Sequence, residues 1–221
     1  AKVLGEKRPS FALLESLLWT PEAGYYLLER HVDRLRRSAV YFGMEVAETA
    51  VVDRLLTFAQ SLTEASKVRL TVDSGQFAVD GLQWTVSSEP LAAGMGQLKE
   101  PIRVGLAAAP VSSGEVFLYH KTTRRQDYAQ ALASRPDCDD VILWNERDEV
   151  TEASSSNIVV EMAGALLTPP VSCGLLAGTL REEMLENGRI REQVLTKEDL
   201  RQADAIFLIN SVRGWRSSQL D

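Results

Sequence analysis

Beyond about residue 115, segments patterned as short strands outnumber helical ones, and the two kinds do not alternate regularly. VILWNE at 141–146 reads as a strand, DEVTE as a turn and return, NIVVEMAGALLTPP as a hairpin closed near Ala163 and Gly164, and AIFLINS as a further strand. Helical patterning is confined to the stretch after EVFLYHK, to TLREEMLENG and to the short KEDLRQA. A doubly wound parallel sheet or a TIM barrel demands a helix after each strand, so both are excluded. An α+β arrangement remains.

The first half has a different rhythm. FALLESLLWT at 11–20 is apolar apart from Glu15 and Ser16, and PEAG followed by YYLLE predicts a second strand after a turn. In RHVDRLRRSAVYFG, Val32, Leu35, Ala39 and Phe42 recur at helical steps, and Gly43 is the stop. A second helix is expected over 45–62, with Val51, Leu55, Leu56 and Phe58 as its apolar members. KVRLTVD and QWTVSSE alternate as half-buried strands do, with Gly75, Asp80 and Gly81 marking the breaks. The proline- and glycine-rich stretch PLAAGMGQLKEPIRVGLAAAPV then interrupts the pattern. An interdomain connection is expected near 105–113, dividing the chain into a small N-terminal domain, 1–107, and a larger one, 108–221.

Composition narrows the function. With 24 Lys plus Arg against 31 Asp plus Glu, the net charge of -7 argues against a nucleic-acid surface. A hydrophobic content of 45% excludes global disorder. Cys138 and Cys173 form no CxxC, and His31 and His120 are the only histidines, so neither a disulfide scaffold nor a metal site is expected. No apolar run is long enough to span a membrane, and AKVLGEKRPS lacks the order of a signal peptide, so the expected compartment is the cytoplasm. Ala1 in place of an initiator Met is compatible with processing, trimming or excision from a longer polypeptide. GxGxxG, GxxxxGK[ST] and GxSxG are all absent, which removes the usual support for dinucleotide, P-loop and serine-hydrolase chemistry.

Some residues are placed where chemistry is available. Lys121 ends the apolar VFLYH and precedes Arg124 and Arg125; it is either a surface lysine or an amine whose pKa falls through desolvation and nearby positive charge. Glu152 precedes a run of hydroxyl and amide groups, where a carboxylate caps a local turn or accepts an N–H from a cofactor. Asn157 serves equally well as an anchor of its own loop. Arg34, among Arg30, Arg36 and Arg37, either pairs with helix carboxylates or holds a phosphate bidentately. Gly178 and Thr179 open a helix whose free N–H groups suit an anion, with Glu182 and Glu183 as alternative complements to the helix dipole. Ser211 ends FLIN as a turn former or as a further phosphate donor.

FALLESLLW, RHVDRLRRSAVYFG, YHKTTRRQDY, LWNERDEVTEASSSNIVV, LLTPPVSCGLLAGTLREEMLE and VLTKEDLRQADAIFLINSVRG, in this order from 11 to 214, together resemble the fold-type IV pyridoxal-phosphate (PLP) enzymes. This class includes branched-chain and D-amino acid aminotransferases and 4-amino-4-deoxychorismate lyase. The resemblance implies a two-domain α+β fold, with a small α/β N-terminal domain and a larger pseudo-barrel. It further implies that Lys121 is the Schiff-base lysine, that Glu152 partners the pyridine nitrogen, and that Arg34, Gly178, Thr179, Leu180 and Ser211 hold the phosphate of pyridoxal 5'-phosphate. A homodimer acting on a small amino substrate with a carboxylate is expected. HKTTRR and ESLLW look most like the lyases, which include domains fused to a chorismate-processing partner. The first expectation is therefore conversion of 4-amino-4-deoxychorismate to 4-aminobenzoate and pyruvate in folate biosynthesis, with association with a chorismate-processing subunit. Transamination of branched-chain or D-amino acids is the alternative. Arg124, Arg125 and Arg213 are the expected substrate carboxylate donors, against ordinary surface pairing. The family's Glu-Gly is here Glu152-Ala153, and its leucine-proline-glycine loop is Leu176-Ala177-Gly178.

Overall fold

The structure, a computed structural model, describes residues 11–73, 83–91 and 101–221. The small domain is built from β1 (Leu13–Thr20), β2 (Gly24–Tyr25), α1 (Leu28–Tyr41), α2 (Glu48–Ala59), β3 (Ser66–Asp73) and β4 (Gln83–Pro90). Its strands form an antiparallel sheet in the order β2-β1-β3-β4, with Leu17 opposite Val68 and Leu70 opposite Val86. Period-two alternation sorts the faces of this sheet. Leu13, Leu17, Val68, Leu70 and Val72 pack with Val32, Leu35, Val51 and Leu55 of the two helices. Leu14, Ser16, Lys67 and Arg69 turn the other way, into a cavity.

Two expectations for this half change, and a third is not reached. The YYLLE strand is only Gly24–Tyr25, because Leu27 takes a left-handed conformation at φ 54° and Leu28 already opens α1. Leu56 is not a core residue but 51% exposed, since α2 turns only Val51 and Leu55 fully inward. The breaks expected at Gly75, Asp80 and Gly81 lie outside the described residues.

The larger domain is a half-barrel made from β5 (Ile102–Leu106), α3 (Gln126–Ala133), β6 (Asp140–Trp144), β7 (Val150–Ala153), β8 (Asn157–Met162), β9 (Ala165–Thr168), α4 (Thr179–Glu186), β10 (Arg191–Glu192), α5 (Lys197–Arg201), β11 (Ala205–Asn210) and β12 (Gly214–Leu220). Its eight strands run β10-β9-β8-β11-β12-β5-β6-β7, with β12, β5 and β6 mutually parallel. Both faces are covered. Val104, Ile142, Ile158, Val160 and Leu208 pack with Leu195 and Leu200 on one side, while Val159 and Ile209 meet Leu180 and Met184 of α4 on the other. Two-sided burial is why VILW and NIVV read as continuous apolar runs. β5 belongs to this larger sheet although it precedes residue 107.

The domains are joined by backbone as well as by charge. Leu14 N–H donates to Lys121 O and Thr123 N–H to Ala12 O, both at 2.9 Å, so the start of β1 pairs with the segment carrying Lys121. Between α1 and α4, Arg30 pairs with Glu183 at 2.8 Å and Glu186 at 2.6 Å, and Arg37 with Glu182 at 3.0 Å. Among the described residues no helix is long and apolar enough to cross a membrane.

Candidate active site

A cavity of about 260 Å³ is lined by both domains: by β1, α1 and β3 from the small one, and by the Lys121 segment, β7, the start of α4 and the loop after β11 from the larger one. It brings together Lys121, Glu152, Arg34, Gly178, Thr179, Ser211, Arg125 and Arg213. Leu180 lies beside Thr179 in the first turn of α4, but its side chain packs into the core, 4% exposed. Arg124 does not line the cavity, because its guanidinium stacks over Phe117 at 4.3 Å from the ring centre.

Lys121 is positioned by the pairing with β1. Burial, aided by the Arg34 guanidinium, pulls its amine down to about 8, with Glu15 pulling the other way. Glu152, on β7, is 5% exposed and accepts from Tyr128 Oη at 2.6 Å, from Leu176 N–H at 3.1 Å and from Asn157 Nδ2 at 3.2 Å. Burial nevertheless raises its carboxyl to about 7. An amine pushed down and a carboxyl pushed up in one cavity are the pattern of groups adapted to proton exchange near neutrality.

Where Arg34 meets the start of α4, the cavity suits an anion. Arg34 is 6% exposed, and its Nη1 donates to Ala177 O at 3.1 Å. Gly178 precedes α4, and a Cβ there would fall 1.9 Å from Asn157 Oδ1, so the backbone passes closer than any side chain allows. Asn157 also donates to Leu176 O at 2.9 Å, tying this loop to β8 and to Glu152. An arginine and a glycine-led helix start side by side, with Ser211 in the same lining, fit a phosphate. With Lys121 and Glu152 in the same lining, the donor set fits PLP.

Sequence reasoning overlooked several participants. Lys67 stands in a polar context that marks no function, yet it lines the cavity and pairs with Glu89 at 2.6 Å; its alternation with Val68 in KVRLTVD is the available signal. Arg69 lines the cavity for the same reason. Tyr128, seven positions after Lys121, carries no local signal, since its role depends on α3 packing against β6, whose neighbour β7 carries Glu152. Glu15 and His31 are almost fully buried beneath the cavity, and the sign of the former was a charge in the middle of an apolar strand.

Comparison with known proteins agrees with this geometry. Residues 12–219 match the family Amino-transferase class IV. A provisionally named aminodeoxychorismate lyase of Schizosaccharomyces pombe is 30% identical over 209 residues, covering 91% of this chain and 86% of that protein. A crystal structure of a provisionally named amino-acid aminotransferase from Mesorhizobium loti superposes with a TM-score of 0.83 at 33% identity, over 96% of this chain and 100% of the other. The 4-amino-4-deoxychorismate lyase of Pseudomonas aeruginosa shares the fold, with a TM-score of 0.81 at 21% identity over 95% and 82% of the two chains. The chain belongs to the class IV aminotransferase family and is a fold-type IV PLP-dependent enzyme.

Proposed function

We propose that this protein binds PLP through Lys121, Glu152, Arg34, the first turn of α4 and Ser211, and that it transfers the amino group of an amino acid to a 2-oxo acid. The observation that carries this reading is the sharing of one cavity by the lowered amine of Lys121, the raised carboxyl of Glu152 and an anion cradle. When bound, PLP supplies an electron-accepting ring for bonds breaking at the substrate's amino-bearing carbon. The Nζ of Lys121 takes the proton from that carbon and returns it elsewhere, as an amine with a pKa near the working pH can do in both directions. Glu152, in its ionised form, holds a proton on the pyridine nitrogen by a charge-assisted bond. Tyr128 and Asn157 keep its two oxygens aimed. Arg34 and the α4 turn hold the phosphate, so the reacting carbon stays aligned with Lys121.

A second reading, elimination of pyruvate from 4-amino-4-deoxychorismate, was first in order from the sequence. It is favoured by the Schizosaccharomyces pombe relative, which covers 91% of this chain. It also fits Lys67, Arg69 and Arg213, three cavity-lining cations available to a substrate with two carboxylates. The match to class IV aminotransferases and the 33% identical Mesorhizobium loti structure support transamination more strongly.

The deciding experiment gives PLP-loaded protein a panel of L- and D-amino acids, and separately 4-amino-4-deoxychorismate. Stoichiometric formation of pyridoxamine phosphate, reversed by a 2-oxo acid, is expected. Equal release of pyruvate and 4-aminobenzoate establishes the lyase instead. Failure of Lys121 to be pyridoxylated after PLP and borohydride overturns both. A homodimer and a cytoplasmic setting are part of the same proposal, checked by sedimentation and by fractionation.

A further inference from the structure

Behind the anion end of the cavity runs a buried polar chain that the residue roles above do not use. Glu15, 2% exposed, accepts from Arg34 Nε at 2.9 Å and Nη2 at 2.6 Å, and it meets His31 Nδ1 at 2.7 Å. The other ring nitrogen of His31, Nε2, lies 3.3 Å from Thr179 Oγ1. The chain therefore links β1 and α1 of the small domain to the first turn of α4 in the larger one.

Donor and acceptor counting fixes its direction. Glu15 is ionised: burial opposes this, but the Arg34 and His31 partners bring its carboxyl down to about 2. A carboxylate only accepts, so the ring proton of His31 sits on Nδ1. Burial keeps the ring neutral, with Arg34 and Lys121 acting in the same sense against the pull of Glu15. Nε2 is then an acceptor, and the Thr179 hydroxyl donates to it. Arg34 spends its Nε–H and one Nη2–H on Glu15 and one Nη1–H on Ala177 O, which leaves one N–H on each terminal nitrogen.

We propose that Glu15 and His31 are positioning residues for the anion end of the cavity, Glu15 acting through Arg34 and His31 through Thr179. The inference rests on the reading that this end takes the phosphate of PLP. Glu15 fixes the guanidinium plane so that its two remaining N–H groups stay paired for a bidentate contact. His31 commits the Thr179 hydroxyl proton to the ring, so the donors left to an anion on this side are those N–H groups and the backbone of the α4 turn. Had Glu15 merely cemented β1 to α1, its loss would harm the protein regardless of what stands at position 34.

The test measures PLP affinity of the cofactor-free protein by absorbance titration, and the ³¹P resonance of bound PLP, for Glu15→Gln and His31→Asn. Each is made alone, and Glu15→Gln is also made in an Arg34→Lys background. Glu15→Gln is expected to weaken PLP about tenfold, yet add less than about twofold to Arg34→Lys, because a residue that acts through another has no effect once that one is changed. His31→Asn keeps a donor toward Glu15 but removes the acceptor for Thr179; it is expected to shift the ³¹P resonance and weaken PLP several-fold. Equal Glu15→Gln penalties in both backgrounds, or unchanged affinity and ³¹P shift in both variants, overturn the proposal while PLP binding by the unaltered chain stands. If the unaltered chain takes up no PLP, the phosphate reading and this proposal fall together. Should Glu15→Gln not fold, His31→Asn combined with Thr179→Val decides: full additivity of their penalties overturns the proposal.

Discussion

The hydroxyl of Tyr128 and the carboxylate of Glu152 meet at 2.6 Å, a contact across 24 positions of sequence that sets how easily the cavity's acid ionises. The bond lowers the Glu152 pKa against the larger effect of burial. Tyr128→Phe removes it while keeping the ring, so the carboxyl rises above about 7. In the cofactor-free protein the titration of this carboxyl is expected to move up by about one pH unit, the equivalent of one hydrogen bond to a charged group. Carboxyl ¹³C NMR titration of the cofactor-free variant and the unaltered protein checks this.

Glu152 also makes stability depend on pH. Its carboxyl titrates near 4.5 when unfolded and at about 7 when folded, so between these values the folded chain holds a proton that the unfolded chain has released. The contribution is present in full below 4.5 and is lost as pH rises through about 7. Glu152→Gln removes the term, and the cofactor-free variant is expected to gain on the unaltered protein by about 5–10 °C in Tm between pH 5 and 8, about two pH units of the window at about 1.4 kcal/mol each. Paired melting curves at both pH values measure the gain.

Two arginines on the same face of α1 are expected to differ sharply. Arg34→Ala strands the buried Glu15 charge and is expected to cost about 3–5 kcal/mol. Arg37→Ala breaks partly exposed pairs with Asp33 and Glu182 and is expected to cost under about 1 kcal/mol, less still in high salt. Urea unfolding of the two variants, with and without added salt, gives the comparison.

Gly178→Ala is expected to weaken PLP binding about tenfold or more, since the added methyl must displace Asn157 and, with it, the loop that ends at Leu176. Absorbance titration reads the loss, and circular dichroism verifies that the sheet is retained.

How much of this was legible in the sequence depended on how local each feature is. The hairpin at Ala163 and Gly164, the helix stop at Gly43 and the strand AIFLIN follow from periodicity and turn chemistry, and all are present. β5 was missed because IRVGL is a short run inside a proline- and glycine-rich stretch, and its strand character comes from parallel neighbours β12 and β6 distant in sequence. Among site residues, the candidates marked by motif resemblance share the cavity, apart from Arg124 and the Leu180 side chain. Arg124 was misplaced because adjacent arginines point different ways: Arg125 reaches Ser154 O and stacks on Tyr128, whereas Arg124 stacks on Phe117. Tyr128, Lys67 and Arg69 owe their places to tertiary packing and strand alternation, which a list of charged residues does not reveal.

The backbone around Lys121 is stitched to the start of the other domain's first strand, through Leu14 N–H to Lys121 O and Thr123 N–H to Ala12 O. Swinging the domains apart to widen the entrance therefore tears the segment that carries the amine. Of the cavity-lining cations, Arg213 is exposed and Lys67 partly so, and both can change rotamer without disturbing that pairing.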